Sequence, residues 1–270
     1  MPHERFRYRS LDDLVAKVDD LGLDLPCSSD LSPLARQVTI AGKKTPNALA
    51  IHPMEGCDGT ADGKPDELTR RRYRRFAEGG AGLLWFEATA IIDEARANPR
   101  QLLIVPGNAE SLASLRQEAI AAGQVRNGAD YDPFTVLQLT HSGRYSRPVE
   151  KPAPIIAHHD GVLDKVQGLS EDHALISDDE LDGLSNHFVQ AARLAYECGF
   201  DAVDIKSCHR YLLSELLAAH TRPDAMVALL RIAHACCSAL YVVCEMRFPI
   251  LLLLCGSMSL MAILIPGVGV

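Results

Sequence analysis

The chain has 270 residues, 47% hydrophobic and 23% charged, with a net charge of −8. That length holds one large or two small domains of soluble, globular composition, and the acidic balance without a basic stripe speaks against nucleic acid as a partner. Its eight cysteines form no CxxC pair and no zinc spacing, and Met1–Ser10 has no apolar leader core, so reduced thiols in a cytoplasmic protein without a metal site are expected.

Ser10-Leu11-Asp12-Asp13 reads as a variant capping box, with Leu11, Leu14, Val15, Val18 and Leu21 following at helical spacing. "QVTIAGKKTPN" (37–47) reads as a hairpin with Gly42 in its turn. From residue 48 a unit repeats. "ALAIHPMEG" (48–56) is an apolar run ending in polar residues, and "DELTRRRYRRFAEGG" (66–80) is a helix closed by Gly79 and Gly80. Within it, "TRRRYRRF" is expected to place its arginines on a solvated face around Tyr73 and Phe76.

The pattern continues with "AGLLWFEATA" (81–90), a helix over 109–123 closed by Gly123, and "PFTVLQLTHSGR" (133–144). A helix over 177–199 then opens with a capping box, Ser177 to Glu180, and "FDAVDIKSCHR" (200–210) is the fourth apolar run. Strand alternates with helix, which implies parallel strands joined by right-handed crossovers. Runs this apolar are buried on both faces, and polar residues gather at each strand's C-terminal end. A doubly wound sheet would place polar groups there too, but "GTADGK" (59–64) lacks the spacing of a phosphate loop. The reading is therefore an α/β chain of (β/α)8 TIM-barrel type, with the active site at the C-terminal strand ends.

Four strand-end motifs, "HPMEG", "FEATA", "LQLTHSGR" and "DIKSCHRYLLSELL", stand in an order and at separations that resemble the old yellow enzyme family, the FMN-dependent NADH:flavin oxidoreductases and 2,4-dienoyl-CoA reductase-like barrels. The resemblance covers roughly residues 35–223. It implies FMN and NAD(P)H as cofactors and a small-molecule substrate, an activated alkene beside a carbonyl. Pro53, Met54 and Glu55 would lie against the flavin, Ala88 would be the small residue beside its ring, and Gln138 would bond its pyrimidine edge. Lys206 and His209 map to the pair that binds the substrate carbonyl, and Tyr211 to the proton donor. Donors aimed at an oxygen that gains negative charge lower the barrier, and a phenol can serve as general acid. Lys206 departs from the family's usual histidine, and Glu55 from its usual Thr or Cys. Cys57 and Cys208 read as bystanders. Arg144 could line the substrate rim or pair structurally with Glu87.

The family pattern stops at residue 223. Residues 224–270 carry only Asp224, Arg231, Glu245 and Arg247 as charged side chains, and 248–270 carry none. That last stretch matches the roughly 20 residues that span a bilayer. Three readings stand: a membrane anchor, a core element closing a half-barrel, or an end read in a shifted frame. Residues 1–35 form an N-terminal extension, 36–223 a partial FMN-binding barrel and 224–270 an unrelated apolar tail. Four barrel strands leave open sheet edges, and the family's phosphate site, built after strands seven and eight, has no counterpart in this pattern.

Overall fold

The computed structural model describes residues 5–219, residue 222 and the backbone of 250–255 and 259–264. Helix α1 (Leu11–Asp20) begins where the Ser10 side chain accepts from the Asp13 N–H. A single turn, α2 (Ser32–Ala35), follows. The expected hairpin is present: β1 (Thr39–Ile40) pairs antiparallel with β2 (Lys43–Lys44). Between them Ala41 and Gly42 take φ of 48° and 83°, the left-handed pair that a tight two-residue turn requires.

The alternating units come next, with β3 (Ala50–Ile51), α3 (Glu67–Glu78), β4 (Leu83–Ala90), α4 (Ala109–Asn127) and β5 (Phe134–Thr140). They continue through the short α5 (Leu163–Gln167), α6 (Asp178–Glu197), β6 (Ala202–Ile205) and α7 (Leu212–Leu217). Strands β3, β4, β5 and β6 lie side by side, all parallel. Helix α6 carries the expected capping box, Ser177 with Glu180. Helix α4 does not stop at Gly123 but runs on to Asn127. Gly123 serves packing instead: a Cβ there would meet the Tyr131 ring at 2.3 Å.

Side-chain alternation divides the sheet into two faces. Leu84, Phe86, Leu137, Leu139, Val203 and Ile205 join the helices in the main core. Leu83, Trp85, Phe134, Val136 and Ala202 form a second cluster on the inner face, against Ile40 and Ala41 of the hairpin. Burial on both faces explains why the strands read as unbroken apolar runs.

Two backbone strands in the tail, β7 (Ile250–Cys255) and β8 (Ser259–Leu264), form an antiparallel pair. Strand β8 also pairs antiparallel with β6, through Val203↔Leu264 and Asp204↔Ile263, which makes the sheet six-stranded. The open edge expected at β6 is thus occupied, since its unpaired N–H and C=O groups accept a neighbouring apolar strand. The membrane-anchor reading of 248–270 required one continuous apolar helix. The described parts of that stretch are strands, and no helix among the described residues is long and apolar enough to cross a membrane. The remainder of the tail reading lies outside the described residues.

Candidate active site

The parallel register brings the expected residues to one end of the sheet. Pro53 follows β3, Lys206 follows β6, and Gln138 on β5 lies opposite Asp204 on β6. On β4 the register shifts: Phe86 opposes Leu137 and Thr89 opposes Leu139, so Glu87 and Ala88 share Gln138 as neighbour. This is a bulge, and it re-aims the side chains around it. Phe86 stacks on Tyr73 of α3 with ring centroids 4.2 Å apart. Glu87 faces the same helix, its Oε1 accepting from Arg72 Nη2 at 2.7 Å and its backbone N–H donating to the Tyr73 hydroxyl at 2.7 Å. Ala88 is fully buried beside Gln138.

Glu87 also fixes the loop after β3. Its Oε2 accepts from the Gly56 N–H at 2.8 Å, and Arg72 reaches Asp58 at 2.8 Å. The loop passes so close that a Cβ on Gly56 would stand 2.0 Å from the Arg72 guanidinium. Burial raises the Glu87 carboxyl pKa, with Arg72 opposing. The arginine-rich run is therefore not wholly a solvated face: Arg72 turns inward because Glu87, buried in an apolar strand, needs a cation. The signal for this was a carboxylate inside "LLWFEATA".

Lys206 is 5% exposed. Its Nζ donates to Glu55 Oε1 at 2.8 Å, and the Tyr211 hydroxyl donates to the same oxygen at 3.2 Å. The ammonium also stands 4.3 Å from the centre of the Tyr211 ring. One carboxylate oxygen thus gathers both donors. Burial, and then Glu55, push the Tyr211 phenol pKa up, so it holds its proton at neutral pH. Tyr211 is the N-cap of α7, reached through His209 and Arg210 at φ of 59° and 58°. Two consecutive left-handed non-glycine residues cost on the order of 1–3 kcal/mol each. They lift His209 to the exposed rim, where its ring lies 6.2 Å from that of Tyr211. Pro53 is half-buried at this end and Met54 is 75% exposed.

Asp204 was not singled out from the sequence, although alternation from Ala202 through Asp204 to Lys206 puts all three on the inner face. It accepts from Gln138 Nε2 at 2.6 Å. Burial raises its pKa to about 6, against the pull of Gln138 and Lys206. Arg144 corrects an expectation. It reaches neither a substrate rim nor Glu87; its guanidinium is fully buried, bonded to Glu215 Oε1 at 2.6 Å, to the His158 carbonyl at 2.7 Å and to Asp164. Two carboxylates converging from α5 and α7 draw it inside.

The residue types gathered here, a small buried Ala88, the amide of Gln138 and the donors Lys206 and Tyr211, are compatible with a flavin ring. Among the described residues, Lys206, Arg72 and Arg144 each pair with a carboxylate.

A family model described as the NADH:flavin oxidoreductase / NADH oxidase family matches residues 38–223. The NADPH dehydrogenase of Bacillus pumilus (strain SAFR-032) is 29% identical over 184 residues, covering 67% of this chain and 49% of that protein. The chain thus spans about half the length of the curated relatives it matches. Among solved structures, morphinone reductase in complex with tetrahydroNAD superposes with a TM-score of 0.59 at 22% identity, over 76% of this chain and 60% of that one. The old yellow enzyme from Pichia sp. AKU4542 gives 0.58 at 20%, over 77% and 56%. At such identities these two establish the shared barrel fold. With the family model covering residues 38–223 and four strand-end motifs gathered at one end of a parallel sheet, the chain belongs to the NADH:flavin oxidoreductase / NADH oxidase family.

Proposed function

We propose that the chain carries the ring-binding and proton-donating part of an FMN-dependent NAD(P)H oxidoreductase that reduces an alkene conjugated to a carbonyl. The observation that carries this reading is the convergence of Lys206 Nζ and the Tyr211 hydroxyl on one point, now held by Glu55 Oε1. When bound, the flavin supplies the hydride for the β-carbon. Lys206 holds N–H bonds where the carbonyl oxygen gains negative charge, which is the stage at which a fixed donor contributes most. His209, on the rim, is the second donor to that oxygen. Tyr211 keeps a proton for the α-carbon. Gln138 orients the ring edge, and Ala88 leaves room for it.

A second reading is a barrel portion without turnover. It is favoured by the pairing of Lys206, Arg72 and Arg144 with carboxylates, which weakens each of them as a partner for a phosphate. The test is to mix the purified chain with FMN and NADPH or NADH without oxygen, follow flavin bleaching, then add a cyclic enone. Bleaching followed by enone-dependent return of the yellow colour supports the oxidoreductase. Flavin that binds and bleaches but ignores every enone overturns the substrate class, and flavin that never bleaches overturns the activity.

A further inference from the structure

Two departures from the family pattern, Glu55 and Lys206, lie 151 positions apart in the chain and touch at 2.8 Å. Each accounts for the other: a buried ammonium needs a counter-charge, and a carboxylate at this strand end needs a cation. The consequence concerns the substrate. Lys206 alone would be a fixed positive charge at the carbonyl-binding point and would favour anionic ligands. Paired with Glu55 it is neutralised, and Asp204, two residues before Lys206, adds a further carboxyl on the same face.

We propose that Glu55 is a specificity-determining residue: by pairing with Lys206 it makes the donor point electrically neutral, so the site accepts uncharged carbonyl compounds and turns away carboxylates. This rests on the reading of Lys206 and Tyr211 as the donors of the site. The chemistry is asymmetric. A neutral carbonyl needs only an N–H or O–H, and an ammonium has three, of which Glu55 engages one. A ligand carboxylate needs an uncommitted cation, finds Lys206 taken, and meets the charge of Glu55 at close range.

The test needs neither flavin nor turnover. The chain has a single tryptophan, Trp85, in the inner-face cluster, and its fluorescence can report binding of two probes of similar shape, benzamide and benzoate. The full chain is expected to prefer benzamide by about tenfold or more, one lost charge-assisted contact being worth at least that factor. Glu55→Gln should reverse the order, and Glu55→Gln with Lys206→Met should abolish the gain in benzoate binding. An unchanged ratio in Glu55→Gln overturns the proposal. Where neither probe changes the fluorescence, ultraviolet titration of tyrosine ionisation decides, with Tyr211→Phe identifying the Tyr211 component. Glu55→Gln must lower its midpoint, and an unmoved midpoint overturns the pairing. A chain that shows the reversal but never reduces flavin retains the role of Glu55 and loses the oxidoreductase reading.

Discussion

Arg144, just past β5, donates through Nε to Glu215 of α7 at 2.6 Å, so the turn after one barrel strand is tied to the helix after the next. Glu215 Oε2 in turn accepts from the Ala157 N–H at 3.1 Å. Tyr211 is the N-cap of that helix. The buried arginine therefore acts on the site at one remove, by fixing the element that presents the phenol.

Arg144→Leu is expected to destabilise the fold by about 3–5 kcal/mol, because it strands the carboxylates of Glu215 and Asp164 without their cation. Denaturant unfolding measures this. Adding Glu215→Leu should recover part of the loss, and a single-variant loss below about 1 kcal/mol would show that water solvates the pair.

Asp204 gives a pH signature. Its carboxyl is raised from 3.8 to about 6, so the folded state holds this proton more tightly than the unfolded chain. The stabilisation is complete below the unfolded value and is lost as pH rises through about 6. Wild-type stability should fall between pH 4 and 6, relative to Asp204→Asn, by on the order of 1–3 kcal/mol. Parallel slopes for the two proteins across that window would refute the assignment.

In flavin-loaded protein, Tyr211→Phe should slow enone reduction about 10²–10⁴-fold while leaving flavin reduction by NAD(P)H unchanged. In the proposed reaction the phenol's proton is needed only after hydride has reached the β-carbon. Stopped-flow measurement of each half-reaction separates the two, and equal slowing of both would assign Tyr211 to structure.

The purified chain should hold FMN weakly. Each charge-assisted phosphate contact is worth about 1.5–3 kcal/mol, and Lys206, Arg72 and Arg144 are already engaged with carboxylates. Riboflavin and FMN should therefore bind with similar affinity in an equilibrium titration. Stoichiometric yellow flavin retained through purification would contradict this.

Local periodicity carried the strand–helix order, because each apolar run and each cap is decided within a few residues. The capping box at Ser177 and the left-handed turn at Gly42 were legible for that reason. What periodicity could not reveal was which distant charge a buried charge would meet. Arg72 reads as one more exposed arginine until Glu87 is placed beside it, and Arg144 reads as a ligand-binding residue until Glu215 and Asp164 close on it. Glu55 and Lys206 each stood out as a departure, yet their contact across 151 positions exists only in the folded chain. Gly123 looked like a helix stop because glycine's two uses, ending a helix and admitting a neighbouring ring, carry the same letter.

The extra residue in β4 amounts to a change of parity. Before it, odd-numbered positions such as Leu83 and Trp85 look into the barrel; after Phe86, the odd-numbered Glu87 looks out with it. Strict alternation would have aimed the Glu87 carboxylate at the inner face. With the phase shifted, the negative charge lies on the far side of the sheet, clamping the loop that bears Glu55. A single inserted residue thus sorts one charge out of the barrel while leaving Glu55 as the carboxylate that meets the donors.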